Sequence, residues 1–133
     1  MNRTEKSSRD VLGAAEAAAE KKAERIVVID VAEQLVITDH FLICSGNTER
    51  QVRTIAEEIE KRVAERFDRK PYRREGEREA RWVLLDYVDF VVHVFHREDR
   101  DYYNLERLWG GAPALPSNAI LEEPDEPTAA EAT

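Results

Sequence analysis

Two kinds of hydrophobic spacing alternate along this chain, and their order predicts the fold. Val11, Leu12, Ala15, Ala18, Ala19 and Ala23 recur at helical spacing, which predicts a first helix over Ser7 to Arg25. Ser7 or Ser8 is its candidate cap. The stripe is mostly Ala, so this helix is expected to bury little surface and to pack lightly. The period then changes. Ile26-Val27-Val28-Ile29-Asp30-Val31 is β-branched and nearly all apolar, the pattern of a strand buried on both faces. A second strand is predicted at Phe41-Leu42-Ile43-Cys44-Ser45. The link from Ala32 to His40 is too short for a helical crossover, so the two strands are expected to be antiparallel neighbours.

The strongest helical pattern follows. Gly46-Asn47 breaks the strand, and Thr48-Glu49-Arg50-Gln51 matches a capping box between Thr48 and Gln51. Val52, Ile55, Ala56, Ile59, Val63 and Phe67 then mark one face, while Glu57–Lys61 and Glu58–Arg62 sit four apart on the other. Tyr72 to Arg81 is highly charged around Gly76, as a short strand and a flexible loop would be. Trp82-Val83-Leu84-Leu85-Asp86 and Phe90-Val91-Val92-His93-Val94-Phe95 are two strands joined by only Tyr87-Val88-Asp89, a hairpin. A last helix is predicted from about Arg97 to Trp109, with acids in its first turn and Gly110-Gly111 as its stop. Its stripe of Tyr102, Leu105, Leu108 and Trp109 reads as core. The order α-β-β-α-β-β-β-α predicts an α/β (α+β) fold, a single mixed sheet of about five strands with helices packed on it. Residues 10–111 are expected to form that domain, after a flexible N-terminus over residues 1–9. From Pro113 the composition turns to Pro, Ala, Glu and Thr, so residues 112–133 are read as a disordered acidic tail.

Composition narrows the class. Apolar residues make up 42% of the chain, enough for a modest core, and no apolar run approaches the roughly 18–20 residues of a membrane span. Met1 to Asp10 lacks the apolar centre of a signal peptide. The single cysteine, Cys44, allows no internal disulfide. A soluble cytoplasmic protein is the expectation. The net charge of −8 disfavours direct nucleic-acid binding. That charge is uneven: residues 116–133 carry five acids and no bases, while residues 61–81 carry nine bases and five acids. The acidic balance favours a protein partner with a basic surface.

Few residues offer chemistry. Asp86 and Asp89 flank the hairpin, and Ser45-Gly46 precedes a helix, a combination reminiscent of nucleotidyltransferases. Those enzymes need two acids on one strand face, and a spacing of three with a turn between does not supply that. The competing reading is that the two acids shape the hairpin or meet a partner. His93 and His96, three apart on a strand, fall on opposite faces and make a poor metal pair. His40 stands apart from both, and Cys44 lies in an apolar strand as an inert thiol. Trp82 is different. Period-2 alternation puts Trp82, Leu84 and Asp86 on one face and Val83, Leu85 and Tyr87 on the other. An aromatic, an aliphatic and an acid together resemble an interface anchor; a core Trp at a sheet edge is the competing reading.

The wording of the segments resembles the Iojap family of ribosomal silencing factors. The resemblance rests on Ile-Val-Val-Ile-Asp-Val at 26–31, Thr38-Asp39-His40-Phe41-Leu42-Ile43-Cys44-Ser45-Gly46-Asn47 and Glu49-Arg50-Gln51-Val52. It continues through Arg74-Glu75-Gly76-Glu77, Trp82 to Tyr87, Val91 to Phe95 and Tyr103-Asn104-Leu105-Glu106-Arg107-Leu108-Trp109, in order over about residues 10–111. It implies a nucleotidyltransferase-like fold without the catalytic acids, and no catalysis, cofactor or metal. The implied partner is the large ribosomal subunit, through ribosomal protein L-fourteen at the face that meets the small subunit. Joining would be blocked sterically and translation repressed when nutrients are limiting. A homodimer off the ribosome is also implied. Carried onto this sequence, Trp82 and Leu84 would supply apolar contact, Asp86 and Asp89 would meet basic groups, and Tyr87 would sit at the rim. The family's Gly before the second acid is Val88 here. A β-branched residue resists positive φ, so this hairpin is expected to use another turn type. Two other functions fit the residues: a divergent nucleotide-binding nucleotidyltransferase, and a dimeric interaction module with a different target.

Overall fold

Asn2 decides where the first helix begins. Its side-chain oxygen accepts the Glu5 N–H at 2.8 Å, and the Glu5 carboxylate accepts the Asn2 N–H at 3.2 Å. Helix α1 therefore spans Arg3–Glu20 rather than starting at Ser7, and residues 3–9, expected to be a flexible end, are helical. The computed structural model describes residues 2–33, 35 and 37–108. The expected tail over 112–133, Trp109 and the Gly110-Gly111 stop lie outside them. The Ala stripe of α1 packs tightly rather than lightly: Val11, Ala14, Ala15, Ala17 and Ala18 are fully buried. Small side chains let the helix backbone come close to its neighbours. At Gly13 an added Cβ would lie 2.7 Å from the Phe67 ring.

The strands are β1 (Glu24–Asp30), β2 (His40–Gly46), β3 (Arg73–Glu75), β4 (Trp82–Asp86) and β5 (Phe90–His96). They form one mixed sheet in the order β1-β2-β5-β4-β3. β1 runs antiparallel to β2, β4 pairs antiparallel with β3 and β5, and only β2 and β5 are parallel. The predicted α+β sheet and both predicted antiparallel pairs are thus present. Helix α2 (Glu49–Phe67) crosses from β2 and lies beside α1 on one face of the sheet. Val52, Ile55, Ile59 and Val63 of α2 meet Val28, Leu42, Val83, Leu85, Val92 and Val94 of the strands in the main core. Each such fully buried aliphatic side chain contributes about 1.5–3 kcal/mol. A smaller cluster, including Ile29, Phe41, Ile43 and Phe95, lies on the other face.

Two local expectations change. Thr48 caps α2 by accepting the Gln51 N–H at 3.0 Å, but the Gln51 side chain reaches Asn47 N–H (2.7 Å) instead of closing the box on Thr48. Its amide then donates to the Lys21 and Lys22 carbonyls, tying the end of α1 to the start of α2. The predicted last helix is broken. α3 (Arg97–Tyr103) ends where Asn104 turns left-handed at φ 47°, and α4 (Leu105–Leu108) restarts beyond it. Tyr102, two residues before that turn, is exposed rather than part of the expected core stripe.

One ionic group ties α1 to the β4–β5 hairpin. Arg69 donates to Asp10 on α1 (2.8 Å), to both Asp89 oxygens (2.6 and 3.3 Å) and to the Tyr87 carbonyl (2.8 Å). Its guanidinium also lies over the Phe90 ring at 5.4 Å. Asp10 is fully buried and Asp89 nearly so; Arg9 also pairs with Asp10 at 2.8 Å, but removing Arg69 takes a guanidinium from both carboxylates at once. We expect Arg69→Met to lower stability by about 3 kcal/mol in urea denaturation. A loss below about 1 kcal/mol, the size of a surface pair, would contradict this role.

Candidate functional site

The pleat of β4 divides its side chains as the alternation predicts. Val83 and Leu85 are fully buried under α1 and α2, and Tyr87, just beyond the strand, is 2% exposed on the same side. Trp82, Leu84 and Asp86 face the other way and are half-buried. The start of β4 is held from behind by Gly76. Its φ of 83° and the 2.0 Å approach that a Cβ would make to the Trp82 carbonyl oxygen leave no room for a side chain.

Trp82 sits in an aromatic stack. Its ring stacks on Phe95 at 4.8 Å and meets Tyr103 of α3 at 4.8 Å. Its indole N–H donates to His93 Nδ1 at 3.1 Å. An indole N–H can only donate, so Nδ1 is the acceptor and the neutral imidazole carries its proton on Nε2. That Nε2 is buried with no hydrogen-bond partner among the described residues. The Phe41 ring meets the imidazole edge-on at 4.9 Å. Burial pulls the His93 pKa down to about 4.

The hairpin separates the other expected contacts. Asp86 stays on the half-open face, accepting the Val88 N–H at 2.8 Å and pairing with Arg73 at 3.6 Å. Val88 takes φ 77°, contrary to the expectation that it would refuse positive φ. The Asp89 N–H closes onto the Tyr87 carbonyl at 3.0 Å, and Tyr87 and Phe90 pair across the turn with rings stacked at 4.7 Å. This γ turn is over-determined by Asp86 on one side and Arg69 on the other, which is how a β-branched residue is held there. Tyr87 and Asp89 leave the expected contact surface. The Tyr87 hydroxyl is buried without a hydrogen-bond partner among the described residues, and burial raises its pKa. Asp89 is 8% exposed, with its carboxylate engaged by Arg69. Asp86 and Asp89 therefore point to opposite sides and do not form a metal pair.

The remaining candidates have structural partners. Ser45 is buried and donates to the Glu24 carbonyl at 3.1 Å. Gly46 packs against α2, where a Cβ would lie 3.1 Å from the Val52 nitrogen. Cys44 is buried, its thiol pKa pushed up to about 12 by desolvation. His96 caps α3 by accepting the Glu98 N–H, on the strand face opposite His93. His40 meets Ser7 of α1 at 2.7 Å, while the Ser7 hydroxyl donates to the Asp89 carbonyl at 3.0 Å. Burial lowers the His40 pKa, against the opposing pull of Asp30, Asp39 and Asp89.

The family profile described as "Ribosomal silencing factor during starvation" matches residues 4–133. The chain belongs to this family. It is 50% identical over 100 residues to a protein of Bacillus subtilis named ribosomal silencing factor, covering 75% of this chain and 84% of that one. A protein of the same name from Halalkalibacterium halodurans is 48% identical over 102 residues, 77% of this chain and 86% of that one. The fold is similar to a crystal structure of a Chromobacterium violaceum protein, with a TM-score of 0.75, 27% identity and 92% of each chain covered.

Sequence reasoning missed three residues around Trp82 and the hairpin: His93 as the acceptor for Trp82, Tyr103 as its neighbour, and Arg69 as the clamp behind the hairpin. An imidazole among Val91, Val92, Val94 and Phe95 was the available signal for the first. Its burial carries a pH dependence. Between the unfolded value of 6.5 and about 4, the unfolded chain binds a proton at His93 that the folded chain excludes. Stability contributed by neutral His93 is thus present above pH 6.5 and is lost as pH falls toward 4. The loss expected is about 3 kcal/mol. Urea midpoints recorded across this window should fall less steeply for His93→Phe than for wild type. Parallel curves would contradict a buried neutral His93. The same lowering at His40 leaves part of the slope in the variant.

Proposed function

We propose that this chain acts without catalysis, as a docking inhibitor of ribosomal subunit joining. Its half-open face, carrying Trp82, Leu84 and Asp86, binds ribosomal protein L-fourteen on the large subunit and occupies space the small subunit needs. Translation is thereby repressed when nutrients are limiting, in the cytoplasm where the subunits meet. Membership in the silencing-factor family supports the ribosomal target. The observation that carries the site is the exposure of Trp82. A large aromatic is fixed by ring stacking and a hydrogen bond yet left half-buried, on a sheet face opposite the two long helices. Such a pre-ordered aromatic loses little side-chain entropy when a partner covers it. Asp86, at the other end of the same strand face, supplies a carboxylate for a basic partner, in keeping with the net charge of −8.

When no ribosome is present, the same face serves a second copy of the chain, so dimerisation and docking compete. A divergent nucleotidyltransferase is the less supported reading, since Ser45, Gly46 and Asp89 are taken up by internal contacts.

Co-sedimentation with purified large subunits tests the site. Trp82→Ala is expected to weaken binding by at least tenfold, the size of an interface anchor. Asp86→Asn keeps an oxygen for the Val88 N–H but removes the charge. It should weaken binding about threefold at low salt and less at high salt. Subunit-joining assays should show the same order. Wild-type levels of binding by Trp82→Ala would reject this face. In sedimentation velocity, Trp82→Ala should also shift the free protein toward monomer; an unchanged dimer population would separate dimerisation from docking.

A further inference from the structure

The docking face has a feature that its packing does not require. His93 lies at the centre of this side of the sheet, directly opposite Leu84 in the β4–β5 register and beside Ile43 in the β2–β5 register. Phe41, Phe95 and Trp82 surround it. A purely apolar side chain would fill this position at lower cost. The imidazole instead carries a buried Nε2–H with no acceptor among the described residues, an arrangement that costs about 1–3 kcal/mol. What the imidazole offers in return is Nδ1, which accepts the Trp82 indole N–H at 3.1 Å. Without that acceptor the indole keeps, among the described residues, its stacking on Phe95 and its tilted contact with Tyr103, neither of which engages the N–H edge of the ring.

We infer that His93 is a positioning residue for docking: its Nδ1 fixes the rotation of the Trp82 indole, and so sets which edge of the ring a basic protein partner meets. This rests on the reading of Trp82 as the docking anchor. It adds a residue that touches no partner, because His93 is 5% exposed.

Two substitutions separate positioning from packing. His93→Phe keeps an aromatic ring of similar size and removes the acceptor along with the orphan donor. His93→Asn places its side-chain oxygen the same number of bonds from the backbone as Nδ1, but leaves a gap where the rest of the ring was. Thermal melting should therefore rank Phe at or above wild type and Asn below it. Docking to purified large subunits, at a temperature where all three are folded, should rank the other way. We expect His93→Phe to lose about tenfold in affinity and His93→Asn to stay within about threefold of wild type. In parallel, the Trp82 indole N–H resonance, assigned through Trp82→Phe, should be protected from exchange in wild type and in His93→Asn, and unprotected in His93→Phe. Docking by His93→Phe at wild-type strength while Trp82→Ala is weakened would overturn this inference and leave the docking face intact. Docking losses that follow the melting order would overturn it as well, reducing His93 to packing. Undiminished docking by Trp82→Ala would remove the face and this inference together.

Discussion

In β4, Val83 and Leu85 enter the layer between the sheet and helices α1 and α2, and the pleat then turns Trp82, Leu84 and Asp86 to the other side. That one constraint organises the molecule. Both long helices lie on a single face of a five-stranded sheet, so the apolar residues of the opposite face must be covered in another way. Over part of that face α3 and Leu35 pack on Phe95, Ile29 and Phe41. Over β4 the cover is incomplete, and a Trp stands there half-buried. A strand buried on both faces would read as continuous aliphatic sequence. The Trp-x-Leu-x-Asp alternation of β4 matches one face buried under the helices and the other left half-open.

The face is usable because it is held rigidly from behind. Arg69 links the hairpin to α1 through Asp10 and Asp89, and Ser7 links it again through His40 and the Asp89 carbonyl. These contacts convert the first helix from a loose Ala-rich cover into a brace. They also explain how Val88 tolerates a left-handed φ: the turn is fixed on both flanks before its own preference is consulted. Asp89 illustrates the division of labour. An acid that the family resemblance placed with Asp86 at the contact surface builds the hairpin, one of the two roles its position in the sequence allowed.

Much of this was legible in the sequence. Period-2 spacing at 82–86 assigned the two faces of β4 correctly, and the 3.6-residue period at 52–67 assigned the buried face of α2. The capping residue Asn2 lies outside any apolar pattern, which is why the start of α1 was misplaced. The break at Asn104 was missed because an αL residue inside a helical stripe leaves the hydrophobic spacing unchanged. Tyr87 and Asp89 were misassigned for other reasons. For Tyr87 the period-2 alternation pointed to the buried face with Val83 and Leu85, against the rim position the resemblance implied; for Asp89, burial depends on Arg69, 20 positions away, which no local period reports. The same holds for His93, whose role follows from the register with β4 rather than from its neighbours in the chain. The ribosomal target comes from the family resemblance; the residue pattern reaches only an acidic protein suited to a basic protein surface, with Trp82 open between an interface anchor and a core position.

The central claim is that the Trp82 face is the surface the ribosome covers. Oxidative footprinting of the intact protein reads this directly, with and without an excess of purified large subunits. Trp82 should become protected on addition of the subunits, while Tyr72, 80% exposed ahead of β3, keeps its labelling rate and reports the free surface. Equal labelling of Trp82 in both samples, under conditions where the protein co-sediments with the subunits, would place the contact elsewhere and contradict the account.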